Sequence, residues 1–125
     1  KDNYQEFILK TKLMQSIRRY SKGIVVASMQ DDTILDRALI SQVANNLLVI
    51  KDIEASFVVS KISEKTVGIS ARSNGNINVH VIMEKMSGGG HFTAAALQRD
   101  NTSVEQVLVE LELVIEQWLA QEDEK

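Results

Sequence analysis

Three consecutive glycines, Gly88, Gly89 and Gly90, run directly into His91 and then into the small residues Thr93 to Ala96. Such a run buries almost no apolar surface. Glycine is favoured where a backbone takes positive φ or lets another molecule come close. Exposed N–H groups leading into Thr93-Ala94-Ala95-Ala96 would cradle an anion, as glycine loops ahead of helix N-termini do. His91 at the edge of the run adds a donor whose charge can switch near neutral pH. Upstream, Ser70-Ala71-Arg72-Ser73 supplies a guanidinium with hydroxyls nearby, which suits bidentate phosphate recognition. Ser70, Arg72, Ser73, Gly88, Gly89, Gly90 and His91 are therefore the candidate binding residues for a phosphate group. None of them is assigned catalysis.

Two other constellations carry less. His80 and Glu84 share a helix face at i, i+4, as two metal ligands would, but no further His or Cys is near in sequence, and a surface pair is the favoured reading. Asp31, Asp32 and Asp36 form the one close acidic cluster of the first half. They lack the partners of a divalent-cation site and read as capping and helix-dipole residues.

The elements that must position these residues follow from periodicity. Tyr4, Phe7, Ile8, Met14, Ile17 and Tyr20 are mostly three or four apart, which predicts an amphipathic helix over 3–20, ended by Gly23. Ile24 to Met29 is a continuous apolar run, as in a strand buried on both faces. Gln30 to Thr33 reads as a turn and N-cap. A helix with Leu35, Leu39, Val43 and Leu47 on one side then runs to about Leu48. Residues 55–62 and 66–72 are rich in β-formers and are joined by Ser63-Glu64-Lys65, which predicts a hairpin that delivers Arg72 to a strand end. Asn78 opens a short helix carrying Val79, Ile82, Met83 and Met86, broken by Ser87-Gly88. A short helix or tight turn is expected after His91, with Ala95 to Arg99 as another strand. Ser103 and Gln106 form a capping box, and Val104, Val107, Leu108, Leu111, Val114, Ile115, Trp118 and Leu119 make the longest apolar stripe, expected to cover one sheet face. The tail from Gln121 is expected to fray.

The fold expected is α/β: a mixed sheet of about four to five strands with helices packed on it, in one compact domain over residues 1–125. At 125 residues and 44% hydrophobic the chain can bury a real core. It has no cysteine, which excludes disulfide frameworks and thiolate metal sites. No apolar run approaches the ~20 residues of a transmembrane helix. The net charge of −3 and 5% aromatics lack the basic, aromatic stripe of a polynucleotide binder and favour a dinucleotide-sized ligand. Charge is uneven: residues 1–22 are basic and 103–125 acidic, a pattern ascribed to solvated helix faces. The start in a helix-like pattern without an initiator Met leads us to expect a piece of a longer protein.

Ser70-Ala71-Arg72-Ser73, the Asn78-Val79 helix opening, and Gly88-Gly89-Gly90-His91 followed by Ala94-Ala95 resemble the DHH-associated substrate-binding domain. This is the C-terminal half of the Asp-His-His phosphoesterases, and the likeness is greatest to those that hydrolyse cyclic-di-AMP. Ser87 stands where many members carry a fourth glycine, and Ala96 where many have glycine. The resemblance implies that a separate DHH subdomain, in cis, holds two divalent ions, usually manganese, and that this domain presents the nucleotide. It implies that Arg72 and the serines hold a phosphate or the far nucleotide. Gly88 to Gly90 would donate N–H groups, and His91 would contact the scissile phosphate region. The implied product is linear pApA, and the implied parent is anchored in the membrane with this domain facing the cytoplasm. The alternatives are a domain of a short-oligonucleotide phosphodiesterase of the nanoRNase or exonuclease type, and a stand-alone nucleotide- or RNA-binding module. A third is a homodimerisation domain built on the last helix. No long nucleic acid is expected as a partner.

Overall fold

A computed structural model describes residues 3–125. Six strands form one mixed sheet in the order β1-β2-β3-β4-β6-β5. These are β1 (Arg18–Arg19), β2 (Ile24–Ser28), β3 (Ala55–Lys61), β4 (Thr66–Ser73), β5 (Gly89–His91) and β6 (Ala94–Asp100). The helices are α1 (Asn3–Gln15), α2 (Arg37–Leu47), α3 (Val79–Glu84) and α4 (Val104–Asp123). β2 and β3 run parallel through the α2 crossover, and every other pairing is antiparallel. The two strands that no segment of the sequence predicted are the short edges β1 and β5.

The sheet separates two cores because its strands alternate. Ile24, Val26, Phe57, Val59, Ile69, Ala71 and Leu97 face α3 and α4. Val25, Ala27 and Val58 face α1 and α2, against Leu13, Leu39, Val43 and Leu47. All five residues of β2 are buried, as its unbroken apolar run requires. The 55–72 hairpin forms in register, with Ser56 opposite Arg72 and Val58 opposite Ser70.

α4 opens with the expected capping box at Ser103 and Gln106. Val104, Val107, Leu111, Val114, Ile115 and Trp118 are buried against the sheet. Burying a side chain such as Leu111 or Ile115 contributes about 1.5–3 kcal/mol, so this stripe is committed to its own fold and is not a free dimer face. The helix continues through the acidic tail to Asp123 instead of fraying from Gln121. Arg99 of β6 forks onto Glu110 of α4 at 2.8 and 3.2 Å and also donates to the Met86 carbonyl at 2.7 Å. The hydrogen bonds from Arg99 hold the Glu110 carboxyl below its ordinary range, against a smaller opposing effect of desolvation.

Three expectations need correction. The first helix stops at Gln15 rather than Tyr20. Ser16 Oγ accepts from the Ser28 N–H at 2.8 Å, and Arg18 and Arg19 then pair with Val26 and Val25. Of the predicted apolar set, Met14 and Ile17 pack inward, beside Leu13, which the set did not include. Tyr4 and Phe7 are 72% and 64% exposed. The second helix is capped by Asp36, whose carboxylate accepts from Ala38 N–H at 2.8 Å, not by residues 30–33. Before it, the chain follows β3, with Leu35 N–H on the Lys61 carbonyl. Asp31 accepts from Thr33 N–H in a turn and pairs with Lys12, while Asp32 pairs with Lys61. The basic and acidic ends meet in two exposed pairs, Arg18–Glu112 and Lys22–Asp123, at 3.8 and 3.6 Å. Lys1 and Asp2, which belong to the basic count, lie outside the described residues.

Candidate phosphate-binding platform

The face of the sheet that α2 covers over β3 and β4 is left open over β6 and β5. Residues directly opposite in an antiparallel ladder share a face, so the register defines rows. Arg72, Ala94 and His91 form one row, and Ser70, Ala96 and Gly89 form the next. Each row crosses three strands, about 10 Å, and the rows are about 7 Å apart. Ala96, Gly89 and His91 are exposed, Ala94 is half-buried, and α2 walls one side through a 2.9 Å hydrogen bond between the Ser41 and Ser70 hydroxyls. The result is a shallow floor of small side chains with a guanidinium and an imidazole in one row. A groove of about 760 Å³ between α1 and α2 contains neither the guanidinium nor the imidazole. It is lined by residues such as Leu9, Ile34 and Leu39 with no grouped cations, so we place the site on the platform instead.

Arg72 is half-buried, and its Nη1 donates to the Ala71 carbonyl at 2.9 Å and the Ala95 carbonyl at 3.4 Å. Desolvation lowers its pKa from the ordinary arginine value, yet a guanidinium stays charged at any physiological pH. Among the described residues it has no carboxylate partner. Its charge is thus held by carbonyl dipoles, which leaves the remaining N–H groups for an anion.

The glycines divide by role. Gly88 donates its N–H to the Met83 carbonyl at 2.8 Å, and a Cβ there would lie 2.5 Å from the Ala96 carbonyl oxygen. Gly90 has φ of +143°, and a Cβ would come within 2.4 Å of Ala95 Cα. Both are therefore required by the packing of β5 on β6. At Gly89 a Cβ would meet nothing within 4 Å and would project over the platform beside Ala96. Of the short helix or tight turn expected after His91, the turn forms, at Phe92-Thr93 between β5 and β6, and the glycine run before it is an edge strand instead of a loop. Ser87, at the position where many relatives of the resembled family carry glycine, has φ of +69°, a left-handed conformation that glycine adopts without cost.

Arg72, Gly89 and His91 are thus brought to one surface, whereas Ser70 shares their face but is buried, 4% exposed, with its hydroxyl on Ser41. Ser73 lies on the opposite face by alternation, paired with Ala55, and its hydroxyl serves the Gly75 N–H of the following turn. Gly88 contributes its N–H to the fold. Arg37 of α2 and Gln98 of β6 also border this face; Arg37 reaches it only through tertiary packing, which no local motif marks. His80 Nε2 stands 3.5 Å from Glu84 on the surface of α3. The two manganese ions that the resemblance implies find no donor set here, since the described residues hold no group of three or more His, Cys, Asp or Glu side chains suited to a metal.

Residues 21–121 match the DHHA1 domain, and the chain belongs to that family. It is 40% identical over 120 residues to the cyclic-di-AMP phosphodiesterase GdpP of Bacillus subtilis, covering 94% of this chain and 18% of that protein. It is 36% identical over 104 residues to the cyclic-di-AMP phosphodiesterase PdeA of Listeria monocytogenes, covering 83% and 16%. The chain therefore spans less than a fifth of the length of these relatives. An exopolyphosphatase-related protein from Bacteroides fragilis has the same fold, with a TM-score of 0.75 at 20% identity over 90% of this chain and 34% of that one.

Proposed function

We propose that this chain is the substrate-binding domain of a metal-dependent phosphodiesterase that hydrolyses cyclic-di-AMP to pApA. The observation that carries the reading is the row Arg72, Ala94, His91 on an open floor of small residues. The 40% identity to a cyclic-di-AMP phosphodiesterase supports the choice of ligand. In this reading Arg72 holds a phosphate through its free N–H groups, as a planar cation does for a planar-faced anion. His91 offers a second donor to the same phosphodiester, and Gly89, Ala94 and Ala96 leave room for sugar and base to lie against the sheet. Water activation belongs to a DHH subdomain in cis with its two divalent ions. The short span of this chain relative to its relatives supports that arrangement. Membrane anchoring, with this domain facing the cytoplasm, is likewise proposed for the longer protein from the family resemblance; no helix among the described residues is long and apolar enough to cross a membrane.

The test is a paired assay on this chain. It is expected to bind cyclic-di-AMP in a calorimetric titration and to release no pApA, with or without added manganese. Manganese-dependent turnover by a contaminant-free sample would overturn the division of labour between two subdomains, and absence of binding would overturn the ligand assignment.

A further inference from the structure

A second guanidinium overlooks the same platform from the side opposite His91. Arg37, in the first turn of α2, reaches Gln98 of β6, the next residue after Ala96 on the open face. With the Gln98 amide turned so that its oxygen meets the donors, that oxygen accepts from Arg37 Nη1 at 2.7 Å and from Nε at 3.2 Å. Arg37 and Ser41 also border a small cleft of about 50 Å³ floored by Gly68, Ser70 and Ala96. The side chain is exposed, and among the described residues no carboxylate pairs with it. A cation in the first turn of a helix also opposes the helix dipole, so α2 itself gains nothing from it.

Most other cations that reach across elements are neutralised: Arg99 by Glu110, Arg18 by Glu112, Lys12 by Asp31 and Lys61 by Asp32. Arg37 and Arg72 are held only by neutral oxygens, and they flank one uncharged floor. Arg72 belongs to the row of Ala94 and Arg37 sits over that of Gln98, two rows or about 14 Å apart along the strands. Long side chains leaning inward from those rows bracket a ligand with two separated anionic groups, not a lone phosphate.

We infer that Arg37 is a second anion-contact residue, and that the platform selects ligands carrying two phosphates over mononucleotides. This rests on the reading of Arg72 as the first phosphate contact. On binding, the Gln98 oxygen is exchanged for a phosphate oxygen, a stronger acceptor.

The experiment titrates AMP, pApA and cyclic-di-AMP into wild type, Arg37→Gln, Arg37→Lys and Arg72→Ala at several salt concentrations, with thermal melts alongside. Arg37→Gln is expected to weaken pApA and cyclic-di-AMP by about tenfold and AMP by less than about twofold, with an unchanged melt. The salt slope for the two-phosphate ligands should fall by about one ion and be recovered in Arg37→Lys, which keeps the charge. Wild-type affinity for all three ligands in Arg37→Gln, with Arg72→Ala still impaired, overturns the inference and leaves the proposed function standing. Equal loss for AMP and the two-phosphate ligands also overturns it, since both arginines would then serve one phosphate. Failure of wild type to bind any of the three removes the underlying reading and this one with it.

Discussion

Arg72→Ala is expected to lower affinity for cyclic-di-AMP by about 2–5 kcal/mol while leaving the fold intact. Removing one partner of a buried, hydrogen-bonded charge contact costs this much because the other charge is left without compensation. Arg72 is half-buried, lacks a carboxylate, and is anchored by carbonyl oxygens that a phosphate does not displace; the range applies where the bound nucleotide completes the burial of the contact. Its removal frees the Ala71 and Ala95 carbonyls of one bond each; both residues are buried, so water must enter the space the side chain leaves, and the melting temperature should fall only modestly. A calorimetric titration with a parallel melt reads both quantities. Near-wild-type affinity in a folded variant would show that the ligand lies elsewhere.

The second large effect separates two adjacent glycines. Gly90→Val should destabilise the β5–β6 edge by about 2–5 kcal/mol, from overpacking and from a branched residue held at positive φ. A Cβ at Gly90 lies 2.4 Å from Ala95 Cα and 2.8 Å from Ala95 Cβ, so β5 must leave its register. Gly89→Val should instead melt like wild type, because its Cβ meets nothing, and should abolish binding, because the isopropyl group occupies the floor beside Ala96. Melts and titrations of both variants decide the matter. The account is contradicted if Gly89→Val binds normally, or if Gly90→Val is as stable as wild type.

The same pair shows where the sequence was informative and where it was not. That three glycines before a histidine serve close approach could be read directly. That two of them serve the approach of β6 could not, because the partner carbonyls belong to residues 83 and 94 to 96, across a turn. A glycine run scores against a strand, so β5 was legible only through its pairing. By contrast β2, the 55–72 hairpin and α4 were readable, since each is specified by its own apolar run, alternation or stripe. α1 failed at its end for the opposite reason: Ile17 and Tyr20 continue the helical spacing, but Arg18 and Arg19 gain ladder partners in β2. Asp36 reads as a capping residue together with Asp31 and Asp32, but the sequence places the helix start at residues 30–33, and only the extension of residues 34–35 along β3 decides between them. Ser73 was grouped with Arg72 by adjacency, although neighbours in a strand face opposite ways.

The central claim, that one open sheet face holds the nucleotide, is tested most directly by amide chemical shifts of ¹⁵N-labelled chain titrated with cyclic-di-AMP. The account predicts saturable shifts at Ser70, Arg72, Gly89, His91, Ala94 and Ala96, with Val107, Leu111 and Ile115 on the far side of the sheet unmoved. Shifts centred on the α1–α2 groove around Leu9 and Leu39, or on the α4 side, with the platform silent, would contradict it.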